Sequence, residues 1–133
     1  YFRFDVQSWP KVVPEEANEE GHGVVDYFQP CFKWVDGQLG EGRSVLVHCY
    51  AGAHRAGTVG TAFLMHATRL HLQDSLRMAQ HCRPVVNPFA RLLKLLHMLD
   101  RALTRERAGE ETPRGKPFDE KGYTPKYMLR VSS

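Results

Sequence analysis

SVLVHCYAGAHRAGT, at residues 44–58, contains the strongest structural signal in the chain. It opens with SVLVHC, a short run rich in β-branched residues, which is typical of a buried strand. The small residues that follow pass into a helical pattern that includes Val59, Ala62 and Met65. A strand, a glycine-containing loop and a helix are therefore predicted in succession, with Cys49 at the point where the strand ends.

The residue types in this loop suit the binding of a phosphate group and attack on its phosphorus. Backbone N–H groups of such a loop, and of the helix N-terminus behind it, point inward and favour an anion. This setting favours the thiolate form of Cys49, which is the nucleophilic form of a cysteine. Arg55 follows after five intervening residues, and its planar guanidinium can hold two phosphate oxygens at once. Gly52 and Gly57 let the backbone approach a ligand closely.

Both key residues also have an ordinary structural interpretation. A single Cys at the end of a strand is commonly a small buried apolar residue, and an Arg near a helix start is commonly exposed. Their spacing, with glycines around them between a strand and a helix, favours a functional interpretation. The sequence therefore predicts a phosphate-monoester site built on Cys49 and Arg55.

The composition limits the kind of protein that carries this site. The 133 residues are enough for one domain, and 42% hydrophobic content with a net charge of +3 is typical of a folded chain. Lys and Arg are mixed with Asp and Glu, so we expect neither nucleic acid nor a membrane surface as a partner. No apolar run approaches the ~18–20 residues of a membrane-spanning helix, and no signal-peptide pattern is present. The oligomeric state cannot be predicted.

The three cysteines, Cys31, Cys49 and Cys82, predict neither a disulfide framework nor a zinc site. They are odd in number and irregularly spaced, and no paired CxxC is present. Cys31 and Cys82 are expected in the core. Cys82 has the alternative of pairing reversibly with Cys49, because a thiolate nucleophile is easily oxidised. We expect a reducing, cytoplasmic setting, no metal and no other cofactor.

Hydrophobic periodicity predicts the remaining elements. YFRFDVQSW, at residues 1–9, alternates and predicts a strand. Apolar residues from 24 to 39 fall on one face of a helix, in which Pro30 marks a kink or a break. A short helix is predicted over residues 73–81. A Leu-rich helix then begins with Asn87 as its N-cap and the following Pro as its first residue.

Together these elements predict an α/β domain, a small central sheet flanked by helices, over residues 1–103. Residues 104–133 are charged and rich in Gly and Pro, which predicts a mostly irregular tail. The segment GYTPKYMLRV near its end either docks on the domain or begins another element.

HCYAGAHRAGT, at residues 48–58, resembles the HC-x5-R signature of the protein tyrosine phosphatase superfamily. The stretch before it, VVDYFQPCFKWVDGQLGEGRSVLVHC, is similar to the approach to that signature in dual-specificity phosphatases, and so is the later NPF segment. The resemblance covers roughly residues 1–103 and implies the α/β fold of those enzymes. That fold normally has more strands before this point. Either the chain, which starts at Tyr1, is a fragment, or its sheet is completed differently.

The resemblance implies a phosphatase that acts on phosphotyrosine, phosphoserine or phosphothreonine of a protein substrate. Cys49 and Arg55 are then the catalytic residues: Cys49 forms a phosphocysteine, which water hydrolyses, and no metal is needed. Backbone amides and Arg55 hold the phosphoryl oxygens. The substrate-binding residues implied in this way are Tyr50, Ala51, Gly52, Ala53, His54 and Arg55. His54 either donates a hydrogen bond to the substrate or lines the rim. His48 orients the loop, or is a core histidine.

The chain departs from the family pattern at two functional positions. The family has an Asp general acid where this chain has Ser8 or Trp9. Other carboxyl groups are candidates for that role, namely Asp5, Glu15, Glu16, Glu19 and Glu20. The family usually has Ser or Thr directly after the Arg, where this chain has Ala56, and Thr58 lies two residues further on. Slower hydrolysis of the phosphocysteine is expected.

Two alternatives to an active phosphatase follow from these observations. One is a phosphate-binding module with weak or no turnover, because the acid and the hydroxyl are missing. The other is a rhodanese-like domain, which uses the same Cys-x5-Arg loop. The long Leu-rich helix in the C-terminal half argues against the second.

Overall fold

The computed structural model describes residues 1–13, 22–50, 53–109, 119, 121 and 131–132. These residues form a mostly helical body. It consists of a 3₁₀ helix (Val6–Lys11), the helices α1 (His22–Gly40), α2 (Arg55–Thr68), α3 (Leu72–Cys82) and α4 (Arg91–Glu106), and the two-residue strands β1 (Val47–His48) and β2 (Val131–Ser132).

The strand before the signature loop is shorter than predicted. β1 contains two of the residues in SVLVHC and pairs in parallel with β2, with Val47 opposite Val131 and His48 opposite Ser132. Val47 packs against the core, whereas Leu46 is exposed. So small a pair does not establish a sheet flanked by helices, and the predicted central sheet stays a prediction.

The strand predicted over residues 1–9 is wrong. The chain turns into the 3₁₀ helix at Val6, and Val6 and Trp9 are buried together on one side of it. The indole Nε1 of Trp9 donates to the carbonyl of Arg91 over 3.1 Å. Burial of residues three apart suits a helical turn and not a strand, in which residues three apart point to opposite faces.

The predicted helix over residues 24–39 is confirmed as α1, which continues through Pro30. Phe28 and Phe32 of its apolar face are almost completely buried, and their rings stack with centroids 5.4 Å apart. Leu39, at the end of the stripe, is exposed. The same core contains the leucine stripe of α4: Leu92, Leu95, Leu96, Leu99 and Leu103.

The helix predicted behind the signature is confirmed as α2, and the helix predicted over residues 73–81 is confirmed as α3. α2 is the central helix of the described residues. Every residue from Ala56 to Ala62 is buried, so the helix that follows the loop is fixed on all sides. A loop attached to such a helix has one of its ends held rigidly.

The last helix begins later than predicted. Ala90, with a φ of 53°, is the N-cap of α4, and Arg91 is the first helical residue. Asn87 is therefore not the cap, and both of its backbone groups bind residues of the signature loop. Its N–H donates to the carbonyl of Ala53 over 2.8 Å, and its carbonyl lies 2.7 Å from Nδ1 of His54.

Cys31 is buried, as predicted, and that burial raises the pKa of its thiol to about 11. Cys82 is only partly buried, and none of the three cysteines is in a disulfide. The loop at residues 14–21 and most of the predicted tail lie outside the described residues. Within the described part of the chain, no helix has the length and apolar character needed to cross a membrane.

Candidate active site

The strand–loop–helix unit predicted around Cys49 is present. β1 ends at His48, Cys49 follows, and α2 begins at Arg55. Cys49 is partly buried, whereas Arg55 and Tyr50 are exposed. Ala51 and Gly52, the middle of the predicted phosphate-binding loop, lie outside the described residues.

The sulfur of Cys49 lies at the N-terminus of α2. The backbone N–H of Ala56, the second residue of that helix, donates to Sγ over 3.4 Å. N–H groups in the first turn of a helix have no intrahelical partner and carry partial positive charge. This contact therefore places a backbone donor on the sulfur of the predicted nucleophile.

An open cavity of about 1470 Å³ places Cys49 and Arg55 on one surface. Tyr50, at 89% exposure, lines the same cavity. Ala53 and His54 do not line it and contact Asn87 instead. The structure thus brings together the predicted nucleophile, the predicted arginine and one predicted substrate-binding residue, and it separates Ala53 and His54 from them.

Asp5 is the general-acid candidate that lies in the wall of this cavity. Its backbone carbonyl accepts a hydrogen bond from the Tyr27 hydroxyl over 2.8 Å. Burial raises the pKa of Tyr27 to about 12, and the negative charge of Asp5 contributes to that shift. Ser8 and Trp9 belong to the 3₁₀ helix. The glutamates at 15, 16, 19 and 20 lie outside the described residues.

The hydroxyl nearest to the arginine in sequence is already engaged. Thr58 is completely buried, and its Oγ1 donates to the carbonyl of His54 over 2.6 Å. It therefore does not replace the hydroxyl that is absent at Ala56.

His48 is exposed, so its interpretation as a core histidine is wrong. Among the described residues, no group of three His, Cys, Asp or Glu side chains is arranged to hold a metal ion.

Sequence reasoning missed the contribution of residues 86–89 to this site. The Asn–Pro pair there gave a helix-start signal, although the segment binds the loop before Arg55. Gly57 also has a different role from the one predicted. It lies in the first turn of α2, where a Cβ would meet Val86 Cγ1 at 3.0 Å, so its missing side chain makes room for this segment.

The family model and the relatives that match this chain agree on one family. The family model described as dual specificity phosphatase, catalytic domain, matches residues 7–101. Dual specificity protein phosphatase 1 of Arabidopsis thaliana is 34% identical over 87 residues, which cover 65% of this chain and 44% of that protein. Dual specificity protein phosphatase 4 of Homo sapiens is 28% identical over 116 residues, which cover 86% of this chain and 29% of that protein. The chain thus spans less than half the length of these relatives. No solved structure matches it.

Proposed function

The chain belongs to the dual-specificity phosphatase family, and on that premise we propose that it is a cysteine-dependent protein phosphatase acting on phosphotyrosine, phosphoserine or phosphothreonine. The observation that carries the proposal is the hydrogen bond from the Ala56 N–H to the Cys49 sulfur, in a cavity that Arg55 also lines. A cysteine sulfur that accepts a backbone hydrogen bond, in a cavity that a planar cation also lines, suits attack on a phosphate monoester.

In the first step, the Cys49 thiolate attacks phosphorus. An S–P bond forms while the bond from phosphorus to the leaving oxygen breaks. Arg55 holds two of the phosphoryl oxygens, and the N–H groups at the start of α2 balance the charge that develops on them. The leaving oxygen takes a proton, and Asp5 is the proposed donor because it lines the same cavity as Cys49.

In the second step, water attacks the phosphocysteine. The P–S bond breaks, inorganic phosphate leaves, and Cys49 returns to its thiolate. The Ala56 N–H again stabilises the sulfur, but no hydroxyl is present at that position to assist its departure. We therefore propose that hydrolysis of the intermediate limits the overall rate. The positive charge comes from Arg55 and the backbone amides, so this chemistry calls for no metal or other cofactor.

The chemistry also suggests a compartment and a substrate. The nucleophile works only as a reduced thiol, and Cys31, Cys49 and Cys82 form no disulfide. A reducing compartment such as the cytoplasm suits these properties. The proposed partner is a phosphoprotein, and we propose neither nucleic acid nor a membrane as a partner.

Hydrolysis of p-nitrophenyl phosphate tests the proposal directly. The wild-type chain should release p-nitrophenol, and Cys49→Ser should abolish release while inorganic phosphate still binds, because the nucleophile is lost and the amides remain. Cys82→Ser is the matched control and should retain activity under reducing conditions. Hydrolysis by Cys49→Ser at the wild-type rate would exclude the phosphocysteine. Phosphate binding by the wild-type chain without turnover would instead indicate a phosphate-binding module.

A further inference from the structure

The residue directly before Arg55 is bonded to a distant part of the chain. Nδ1 of His54 lies 2.7 Å from the carbonyl oxygen of Asn87, 33 residues away. The N–H of Asn87 donates to the carbonyl of Ala53 over 2.8 Å. Two hydrogen bonds of opposite direction therefore join the end of the signature loop to residues 86–89, which we call the anchor segment.

The partner of His54 determines where its ring carries hydrogen. A backbone carbonyl only accepts hydrogen bonds, so Nδ1 of His54 must be the donor. The neutral ring is then the Nδ1–H tautomer. The protonated ring keeps the same bond, because an imidazolium donates from both nitrogens. The link between His54 and Asn87 consequently persists in both protonation states.

The anchor segment is itself held in place. Val86 is buried and packs against Gly57 of α2, and the Gln80 side chain of α3 donates to the Val86 carbonyl over 3.2 Å. At the other end of the segment, the ring of Phe89 meets the ring of His54 at 65°, with centroids 4.5 Å apart. The His54 ring thus contacts a segment that is fixed on two helices.

The backbone of His54 is restrained as well. Its carbonyl accepts from the N–H of Thr58 over 2.9 Å and from the Thr58 hydroxyl over 2.6 Å. With its ring bound to the anchor segment and its carbonyl bound to α2, the peptide that leads into Arg55 has one orientation. Orientation of charged and N–H groups before the ligand arrives is what makes a phosphate site effective.

From these contacts we infer that His54 is a positioning residue, which fixes the Arg55 end of the phosphate-binding loop through Asn87. The inference rests on the proposed function in that the loop is taken to bind phosphate. Its geometry does not depend on turnover. The role differs from both interpretations left open by the sequence, a hydrogen bond to the substrate or a passive place at the rim.

Two substitutions separate positioning from a general loss of structure. His54→Ala removes the donor to Asn87, and we expect affinity for inorganic phosphate and kcat/KM for p-nitrophenyl phosphate to fall roughly tenfold, as the loss of one hydrogen bond allows. His54→Asn offers an amide N–H in place of Nδ1 and should restore most of both. His97→Ala, on the exposed side of α4, is the matched control and should change neither.

A spectroscopic measurement tests the inference in a protein that retains His54. In the Cys49→Ser protein, the ¹⁵N shifts of the His54 ring, assigned by their absence in His54→Asn, should report the Nδ1–H tautomer. The Nε2–H tautomer, unchanged phosphate affinity in His54→Ala, or a loss that His54→Asn does not rescue would overturn the inference. Should His54→Ala fail to fold, the tautomer decides. Phosphate binding without turnover would contradict the proposed activity alone.

Discussion

The backbone N–H of Ala56 donates to the sulfur of Cys49 over 3.4 Å, and the Ala56 side chain, which ends at Cβ, supplies no hydroxyl there. The resemblance to the family leads us to expect a hydroxyl at this position. The first step of the proposed reaction consumes this sulfur as a thiolate, and the second step releases it. The missing hydroxyl therefore matters most where the sulfur departs from phosphorus.

Ala56→Ser should accelerate the second step. Rapid mixing of the wild-type chain with an activated aryl phosphate should show a burst of phenol, followed by a slow phase that reports phosphocysteine hydrolysis. The added hydroxyl can donate to the departing sulfur, so the slow phase should become faster. An activated phenol leaves with little help from a general acid, so an inefficient general acid in this protein should not abolish the burst.

Ala62→Ser is the matched control for Ala56→Ser, because Ala62 is also buried in α2. It should leave the slow phase unchanged, which shows that a buried hydroxyl on this helix has no effect by itself. Steady turnover without a burst, unaltered by Ala56→Ser, would refute the role given to Ala56 while leaving the phosphatase proposal intact.

Arg55→Lys should lower kcat/KM for p-nitrophenyl phosphate by roughly 10²-fold or more, the scale for loss of one group that stabilises transition-state charge. Lysine keeps the positive charge but cannot present two parallel donors to the phosphoryl oxygens. Arg101→Lys, exposed on α4, should behave as wild type in the same steady-state assay. Retention of most activity by Arg55→Lys would make Arg55 a structural residue.

The region around Cys49 could be predicted because its signals are local. The β-branched run, the small residues and the helical period of α2 follow one another along the chain, and the spacing from Cys49 to Arg55 needs no tertiary information. The apolar stripes of α1 and α4 are equally local, since burial of one helix face leaves a period of 3.6 in the sequence.

The errors concern contacts between residues far apart in sequence. Alternation at Phe2 and Phe4 does not reveal that Trp9 will bond to Arg91, 82 residues away. An Asn–Pro pair does not reveal that Asn87 will bind His54 in preference to capping a helix. Local propensity is a weak prior where a tertiary hydrogen bond competes for the same backbone groups. The anchor segment could not be predicted for the same reason.

Asp5→Asn tests the proposed general acid. With phenyl phosphate, whose leaving oxygen needs a proton, kcat/KM, which reports the first step, should fall by ~10²–10⁴-fold. With a dinitrophenyl phosphate, which leaves readily as its anion, kcat/KM should change little. The exposed Asp26→Asn on α1 should affect neither substrate. An equal loss with both substrates would assign Asp5 to structure.

The same substitution has a readout that is independent of catalysis. Burial, with a smaller contribution from the negative charge of Asp5, raises the pKa of Tyr27 to about 12. Removal of that charge should lower the pKa of Tyr27, measured by ultraviolet titration of the tyrosinate. No change would show that the side chain of Asp5 lies away from Tyr27 in solution.

Alkaline pH should destabilise the fold through Cys31. Burial raises the pKa of this thiol from 9.0 to about 11. Below pH 9 the Cys31 thiol is neutral in both the folded and the unfolded chain, so it costs no stability. As pH rises from 9 towards 11, the thiol ionises first in the unfolded chain, and the free energy of unfolding falls. Denaturant unfolding at a series of pH values should show a loss of roughly 2–3 kcal/mol from this group. Cys31→Ala should reduce the slope, and Cys82→Ala should not.

Gly57→Ala and Gly37→Ala should have opposite effects on stability. Both glycines lie inside helices, where alanine is favoured by about 0.5–1 kcal/mol. A Cβ on Gly37 meets nothing within 4 Å, so Gly37→Ala should stabilise the chain by about that amount. A Cβ on Gly57 would meet Val86 Cγ1 at 3.0 Å and the Asn87 nitrogen at 3.5 Å. Val86 is buried and cannot move freely, so overpacking should destabilise Gly57→Ala by about 1–3 kcal/mol.

Displacement of the anchor segment should also weaken phosphate binding at the candidate site. Gly57→Ala pushes on Val86, and Asn87 is the next residue, so the bond to His54 should weaken and phosphate affinity should fall together with stability. Denaturant unfolding and phosphate titration on the same two variants measure both effects. Gly57→Ala with wild-type stability and wild-type phosphate affinity would show that the anchor segment does not pack against α2 in solution. A loss of stability with unchanged affinity would show that this packing does not position the loop.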